Sequence, residues 1–288
     1  MITLKNQYRS LLFVLSLAMF FCTTANAQLA RERAQTNDTV DRLFWATTNI
    51  GISTVQNVDK NDLQSSIAHV FGLTNGGIDR FFGLDDGANT RLGLDYGITD
   101  NVSLGIGRMT FNKIVDIRSK YNLLRQTKSN SVPIDLAIKA SIGINTTSGL
   151  GFEFGDRLSY FASAMIARKF DALSLQLTPM FAHFNTTSQV NPDQLVGLGL
   201  LMNYELNRRY ALSAEYLPVI GDRFTSTYDA AAIALNIDTG GHIFQLFLAS
   251  SQWHNEQFIM ANNRDRFWKG DFRFGFNIHR VFGLGGSK

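Results

Sequence analysis

The sequence predicts an all-β protein, an antiparallel transmembrane β-barrel of about twelve strands preceded by a cleaved signal peptide. Three observations predict it. Residues 90 to 110, T-R-L-G-L-D-Y-G-I-T-D-N-V-S-L-G-I-G-R-M-T, read as two alternating strands joined by a Thr-Asp-Asn turn, and the pattern recurs towards the C-terminus. The first residues carry the features of an export signal. The links between strands alternate between short and long, as in outer-membrane barrels.

The signal comes first in the chain. Lys5 and Arg9 form a basic region, Leu11 to Phe21 is an apolar run, and Ala25-Asn26-Ala27 is a small-x-small cleavage site. The apolar run is about 11 residues, short of the ~20 that a spanning helix needs, so a cleaved signal over residues 1–27 is expected. Cys22 is the only cysteine and falls inside it, which leaves a mature chain with no thiol, disulfide or cysteine metal site. Residues 28–63 form a polar lead-in followed by strand-like sequence, expected to lie either in the periplasm or in the barrel lumen, and 64–288 form the barrel. Formal charge is +3, or about +1 once Lys5 and Arg9 are removed, and no basic stripe suggests nucleic acid.

A mean hydropathy of −0.04 fits a membrane barrel as well as it fits a soluble protein. Apolar residues at every second position never accumulate into one hydrophobic window. In the strand 90 to 98, Leu92, Leu94, Tyr96 and Ile98 share one face, while Arg91, Gly93, Asp95 and Gly97 share the other. Strands are predicted near 64–72, 90–98, 102–110, 113–124, 132–144, 157–169, 173–184, 195–206, 210–218, 228–237, 242–251 and 271–282. Short links at Thr99-Asp100-Asn101, Phe170-Asp171, Asn207-Arg208-Arg209 and Asp238-Thr239-Gly240-Gly241 suit hairpin turns. Links at 73–89, 145–156, 185–194, 219–227 and 252–270 are longer and fall on the opposite side. Two links depart from this alternation: the one near Asn112 is short for an outer loop, and 125–131 is long for an inner turn. The last strand, D-F-R-F-G-F-N-I-H-R-V-F, has Phe272, Phe274, Phe276 and Ile278 on one face and ends on Phe282, like the terminal strand that barrel-assembly machinery reads.

Several phrases resemble an uncharacterised outer-membrane β-barrel family of the Bacteroidetes, a domain of unknown function. They are I-A-H-V-F-G (67–72), F-G-L-D-D-G-A-N-T-R-L-G-L-D-Y-G-I-T-D (82–100), L-L-R-Q (123–126), L-S-A-E-Y (212–216), D-T-G-G-H-I-F-Q-L (238–246) and G-D-F-R-F-G-F-N-I-H-R-V-F (270–282). The resemblance implies a barrel in the outer membrane and no activity.

Candidate lumen-lining residues are Arg91, Asp95, Asp135, Lys139, Glu215, Gln245 and Arg273, with Gln176 and Asn277 on the same predicted faces. Their mixed signs favour mutual neutralisation inside a narrow barrel over a field for one ion type. His69, His183, His242, His254 and His279 show no metal-ligand spacing, and no G-x-S-x-G occurs, so no catalytic, metal or cofactor site is assigned. Gly93, Gly97, Gly105 and Gly107 read as lumen-facing positions that relieve crowding, and Trp253 and Trp268 as interfacial aromatics. The expected function is a non-enzymatic outer-membrane barrel, either a small-solute channel or an envelope scaffold, with outer-membrane lipid and the assembly machinery as partners. Competing readings are a membrane-embedded lipid-modifying hydrolase and a soluble periplasmic lipid-binding barrel.

Overall fold

The computed structural model describes residues 38–284; the expected signal peptide, the lead-in up to residue 37 and the last four residues lie outside it. Thirteen β-segments form one antiparallel sheet closed on itself. They are β1 (Asp62–Leu73), β2 (Ala88–Gly97), β3 (Val102–Met109), β4 (Ile114–Leu124), β5 (Asp135–Asn145), β6 (Leu158–Phe170), β7 (Leu173–Phe184), β8 (Gln194–Glu205), β9 (Tyr210–Leu217), β10 (Val219–Ile220), β11 (Ala230–Asp238), β12 (Ile243–Ala249) and β13 (Arg273–Gly283). β9 and β10 are one strand interrupted at Pro218, which has no N–H to offer the ladder, so the barrel has twelve staves. β8 pairs with both halves, Leu200 opposite Tyr216 and Gly197 opposite Val219, and β1 pairs with β13, so no edge is left open.

Each predicted strand has its counterpart, with ends shifted by up to three residues. The largest shift is at β5, which begins at Asp135 because 125–134 is an inner loop with a task of its own. It receives the incoming N-terminal chain: Val40 N–H donates to Gln126 O at 2.7 Å, and Lys128 N–H to Asp38 O at 2.8 Å. The other irregular link, at 111–113, is a tight turn in which Asn112 and Lys113 take positive φ of 51° and 46°. It is short because β3 and β4 end together there, and the count of twelve stands.

The period-two pattern sorts the faces as expected. Leu94 and Ile138 are 46% and 44% exposed on the outside, whereas Asp116 and Lys139, which point inward from β4 and β5, are 1% and 7% exposed. Exposed aromatics, including Tyr96, Phe170, Tyr204, Tyr210 and Phe282, ring the short-turn end, a level where such rings have one apolar and one wet side. No described helix is long and apolar enough to cross a membrane.

The lumen is full. From the short-turn end residues 43–58 enter and return as a hairpin, with Thr48 bridged to Ser53, Asn49 N–H donating to Ile52 O at 2.8 Å and Thr54 N–H to Thr47 O at 3.0 Å. From the long-loop end the link between β12 and β13 folds inward and carries a short helix, α1 (Glu256–Asn262), of which Glu256 to Ala261 are buried. Phe44, Ile52 and Val55 of the hairpin and Phe258, Ile259 and Met260 of α1 join one apolar cluster with Phe161, Met165, Met180, Leu195, Leu201 and Leu217 of β6–β9. That half of the lumen therefore carries an apolar patch beside its polar residues Ser163, Gln176, Thr178 and Asn203, a patch the sequence reading did not anticipate. Trp253 belongs to this interior too, with its ring 5.4 Å from Phe111 and 6.4 Å from Phe258, and is not an interfacial residue; Trp268 is 78% exposed.

Arginine at Leu94 or Ile138 is expected to destabilise the barrel by roughly 2–4 kcal/mol near the midplane, and by less at Leu136 close to the rim. Urea titration of the heat-modifiable gel band measures this; equal tolerance of all three would contradict the assigned faces.

Candidate functional site

The interior is organised by charge on one wall and by the two inserted segments on the other. Asp116 on β4 accepts from Arg91 Nε at 3.0 Å and Nη2 at 2.7 Å, and from Arg118 Nη1 at 2.6 Å. Arg118 also donates to both oxygens of Asp95, at 2.8 and 2.6 Å. Two guanidinia and two carboxylates thus form a continuous ladder across β2 and β4. β3, lying between them, makes room for it with glycine: a Cβ at Gly105 would strike Asp95 and Arg118, and one at Gly107 would strike Arg91 and Asp116. Neutralised in this way, the ladder braces the wall with planar, bidentate pairs.

Lys139 stands beside this ladder on β5 and does something different. Its Nζ donates to Glu256 Oε2 at 2.7 Å and Oε1 at 3.0 Å, and to Ser53 Oγ at 2.8 Å, while Ser53 N–H donates to Glu256 Oε1 at 2.9 Å. Barrel wall, hairpin tip and outer-loop helix meet at one buried joint. Burial alone would raise the Glu256 pKa; the ammonium of Lys139 outweighs it and holds the carboxyl below its ordinary value. Nearby, burial lowers His254 to about 4, so the ring is neutral at physiological pH; Nε2 lies 3.1 Å from Asn89 O, which fits an N–H donating there.

The rest of the hairpin is held by wall side chains. Glu215 accepts from Ile50, Gly51 and Ile52 N–H at 3.1, 2.8 and 3.3 Å, a carboxylate seated in three successive amides. Gln176 accepts from Val55 N–H at 2.9 Å and donates to Ser53 O at 2.8 Å. Lys120 donates to Thr54 O at 3.0 Å and to Gln56 O; Asn122 donates to Val55 O at 2.8 Å, and Asn277 to Ile50 O at 2.9 Å. Among the described residues, 43–58 make no backbone-to-backbone hydrogen bond with any strand. What they leave free inside the barrel includes voids of about 20, 20 and 40 Å³, room for isolated waters.

The structure turns all seven candidate residues inward but gives them different employment. Arg91 and Asp95 belong to the ladder, and Lys139 and Glu215 hold the inserted segments. Gln245 accepts from Asn277 at 2.9 Å, donates to Asn236 at 2.9 Å and lies 3.2 Å from His279 Nε2, a polar knot at the base of the hairpin. Asp135 and Arg273 sit at opposite rims: Asp135 accepts from Gln126 N–H at 3.0 Å, and Arg273 holds Asp265 of the outer loop at 2.6 Å. Those two brace loops at the rims. Sequence reasoning missed Asp116, Arg118, Lys120 and Asn122, although D-x-R-x-K-x-N on β4 alternates cleanly, and it missed Glu256, whose short apolar helix lies within the long 252–270 link.

No arrangement for acyl transfer is found among the described residues. His69 Nδ1 lies 2.9 Å from Thr90 Oγ1 on the outer face, but its ring stacks on Phe276 at 5.1 Å and has no carboxylate or amide to orient it. No group of residues with metal-ligand geometry is present in the described part either.

A family model described as "Membrane bound beta barrel domain (DUF5777)" matches residues 44–282. No curated protein matches the chain. Among solved structures, an outer-membrane channel from Pseudomonas putida F1 superposes with a TM-score of 0.53 at 11% identity, covering 79% of this chain and 98% of that one. The KdgM porin gives 0.50 at 10% identity, covering 76% and 99%. These likenesses show the fold. The outer-membrane phospholipase A of Escherichia coli, at a TM-score of 0.40, 12% identity and coverage of 81% and 96%, is too distant to bear on catalysis.

Replacing Lys139 by Met leaves the Glu256 carboxylate buried and unpaired, and is expected to cost about 3–5 kcal/mol. Replacing both, Lys139→Met with Glu256→Gln, should recover most of that loss. A double-mutant cycle on urea midpoints checks this, and additive losses would mean that the two side chains do not act as a pair.

Proposed function

The chain belongs to the DUF5777 family of membrane-bound β-barrel domains, and on that premise we propose that it is a non-enzymatic outer-membrane channel for small solutes, held shut by its own N-terminal hairpin. The observation that carries this reading is the manner of attachment. The barrel closes through β1 and β13 without help from residues 43–58, so the hairpin is a stopper within a finished wall. It is gripped by side chains, each contact worth about 0.5–1.5 kcal/mol net where neutral and about 1.5–3 where charged, and therefore separable step by step.

An envelope scaffold is the second reading, favoured by the hairpin and α1 that occupy the lumen together. Planar-bilayer recording separates the two. The channel reading predicts rare current steps from the intact protein and frequent ones from a full-length variant whose hairpin tip is loosened by Ile52→Asp and Val55→Asp, which leave every wall residue in place. Silence from both proteins would contradict it and leave the scaffold.

A further inference from the structure

The wall residues around the hairpin read a peptide backbone. From Ile50 to Gln56, five N–H groups and five C=O groups are each bonded to a side chain of the barrel or of α1. Gln176 does so in paired fashion, accepting from Val55 N–H and donating to the carbonyl two residues earlier. Glu215 gathers three amides, and Lys120 spans two carbonyls that belong to alternate residues. None of these contacts depends on the hairpin's side chains. Those side chains contribute separately: Ile52 and Val55 are 1% and 2% exposed within the apolar cluster formed with β6–β9. Main-chain bonds for affinity and apolar pockets for selectivity are the two parts of a peptide-recognition site.

Resting on the channel reading above, we propose that the lumen is a binding site for short peptides, of about seven to nine residues with small apolar side chains, and that the hairpin is an intramolecular stand-in for such a solute. The charges support this class over a simple ion. Lys120 and Glu215 are bonded in the closed state to peptide groups of the hairpin, so its departure exposes one cation and one anion on separate strands. A lumen with both signs and several amide-bonding side chains suits a zwitterionic chain of amides. Tethering gives the hairpin an effective concentration in the millimolar range, so a free peptide competes only once the hairpin is loosened.

The test uses the full-length chain carrying Ile52→Asp and Val55→Asp, with Gly51→Leu as a second loosened form, since a side chain at residue 51 meets Ile259 and Glu215. The probe is the nonapeptide Asn-Ile-Gly-Ile-Ser-Thr-Val-Gln-Asn, fluorescein-labelled for anisotropy in detergent and unlabelled for block of bilayer current. A control peptide is N-methylated at the three amides that Glu215 accepts, and a maltohexaose control tests for plain obstruction. The proposal expects the nonapeptide to bind and to block, the methylated peptide to bind about tenfold more weakly or worse, and Gln176→Leu in the loosened chain to weaken binding about tenfold. Current that flows with no peptide binding, or with equal binding of the methylated peptide, or with equal block by maltohexaose, overturns the peptide site and leaves the channel reading intact. Binding with no current in either form overturns the channel reading and leaves the peptide site. Neither binding nor current overturns both.

Discussion

The two segments inserted in the barrel meet its wall at the joint of Lys139, Glu256 and Ser53. A charged pair this deeply buried is costly to desolvate, and the cost is offset only when geometry and additional hydrogen bonds satisfy it fully. Here they do: the ammonium donates to both carboxylate oxygens and to a hydroxyl, and the carboxylate accepts a further backbone amide. Because the three partners come from the wall, the hairpin and the outer loop, the joint cannot be satisfied unless all three are in place. It ties the two inserted segments to each other and to the wall through one set of hydrogen bonds.

The division of the lumen follows from that arrangement. The ladder of Arg91, Asp116, Arg118 and Asp95 is complete in itself and gives one wall a rigid, neutral surface. The opposite wall, β6–β9, would expose the apolar patch of Phe161, Met165, Met180, Leu195, Leu201 and Leu217 to water if the hairpin and α1 were absent. Their apolar side chains are what make that wall stable, while the polar contacts to their backbones fix register. Burial supplies most of the free energy and hydrogen bonds supply the position. A segment held in this way can be strongly seated while each of its polar contacts stays individually modest.

The fold was legible because its signal is local. Alternation in Leu92, Leu94, Tyr96 and Ile98 depends only on a strand having one face in lipid, and the alternation of link lengths depends only on a closed up-and-down order. The interior was less legible because its partners are distant in sequence. Glu256 lies 203 residues from Ser53, and nothing near either residue announces the other. One signal was available: Met165 and Met180 point inward from strands whose outer faces are also apolar, and two apolar faces on a membrane barrel call for something apolar inside. The D-x-R-x-K-x-N face of β4 was equally available, since four polar residues in alternation opposite Gly105 and Gly107 need partners at close range.

If the barrel conducts, the hairpin has to leave its seat, and that departure can be followed directly. Thr54 is 0% exposed and the chain's only native cysteine is Cys22, so Thr54→Cys in the full-length protein gives a thiol at the hairpin whose labelling can be followed during bilayer recording. Negligible reaction with a membrane-impermeant thiol reagent is expected while the protein is silent, with a labelling rate that rises in step with current. Current that flows while the introduced thiol stays unreactive would contradict a hairpin that gates the lumen.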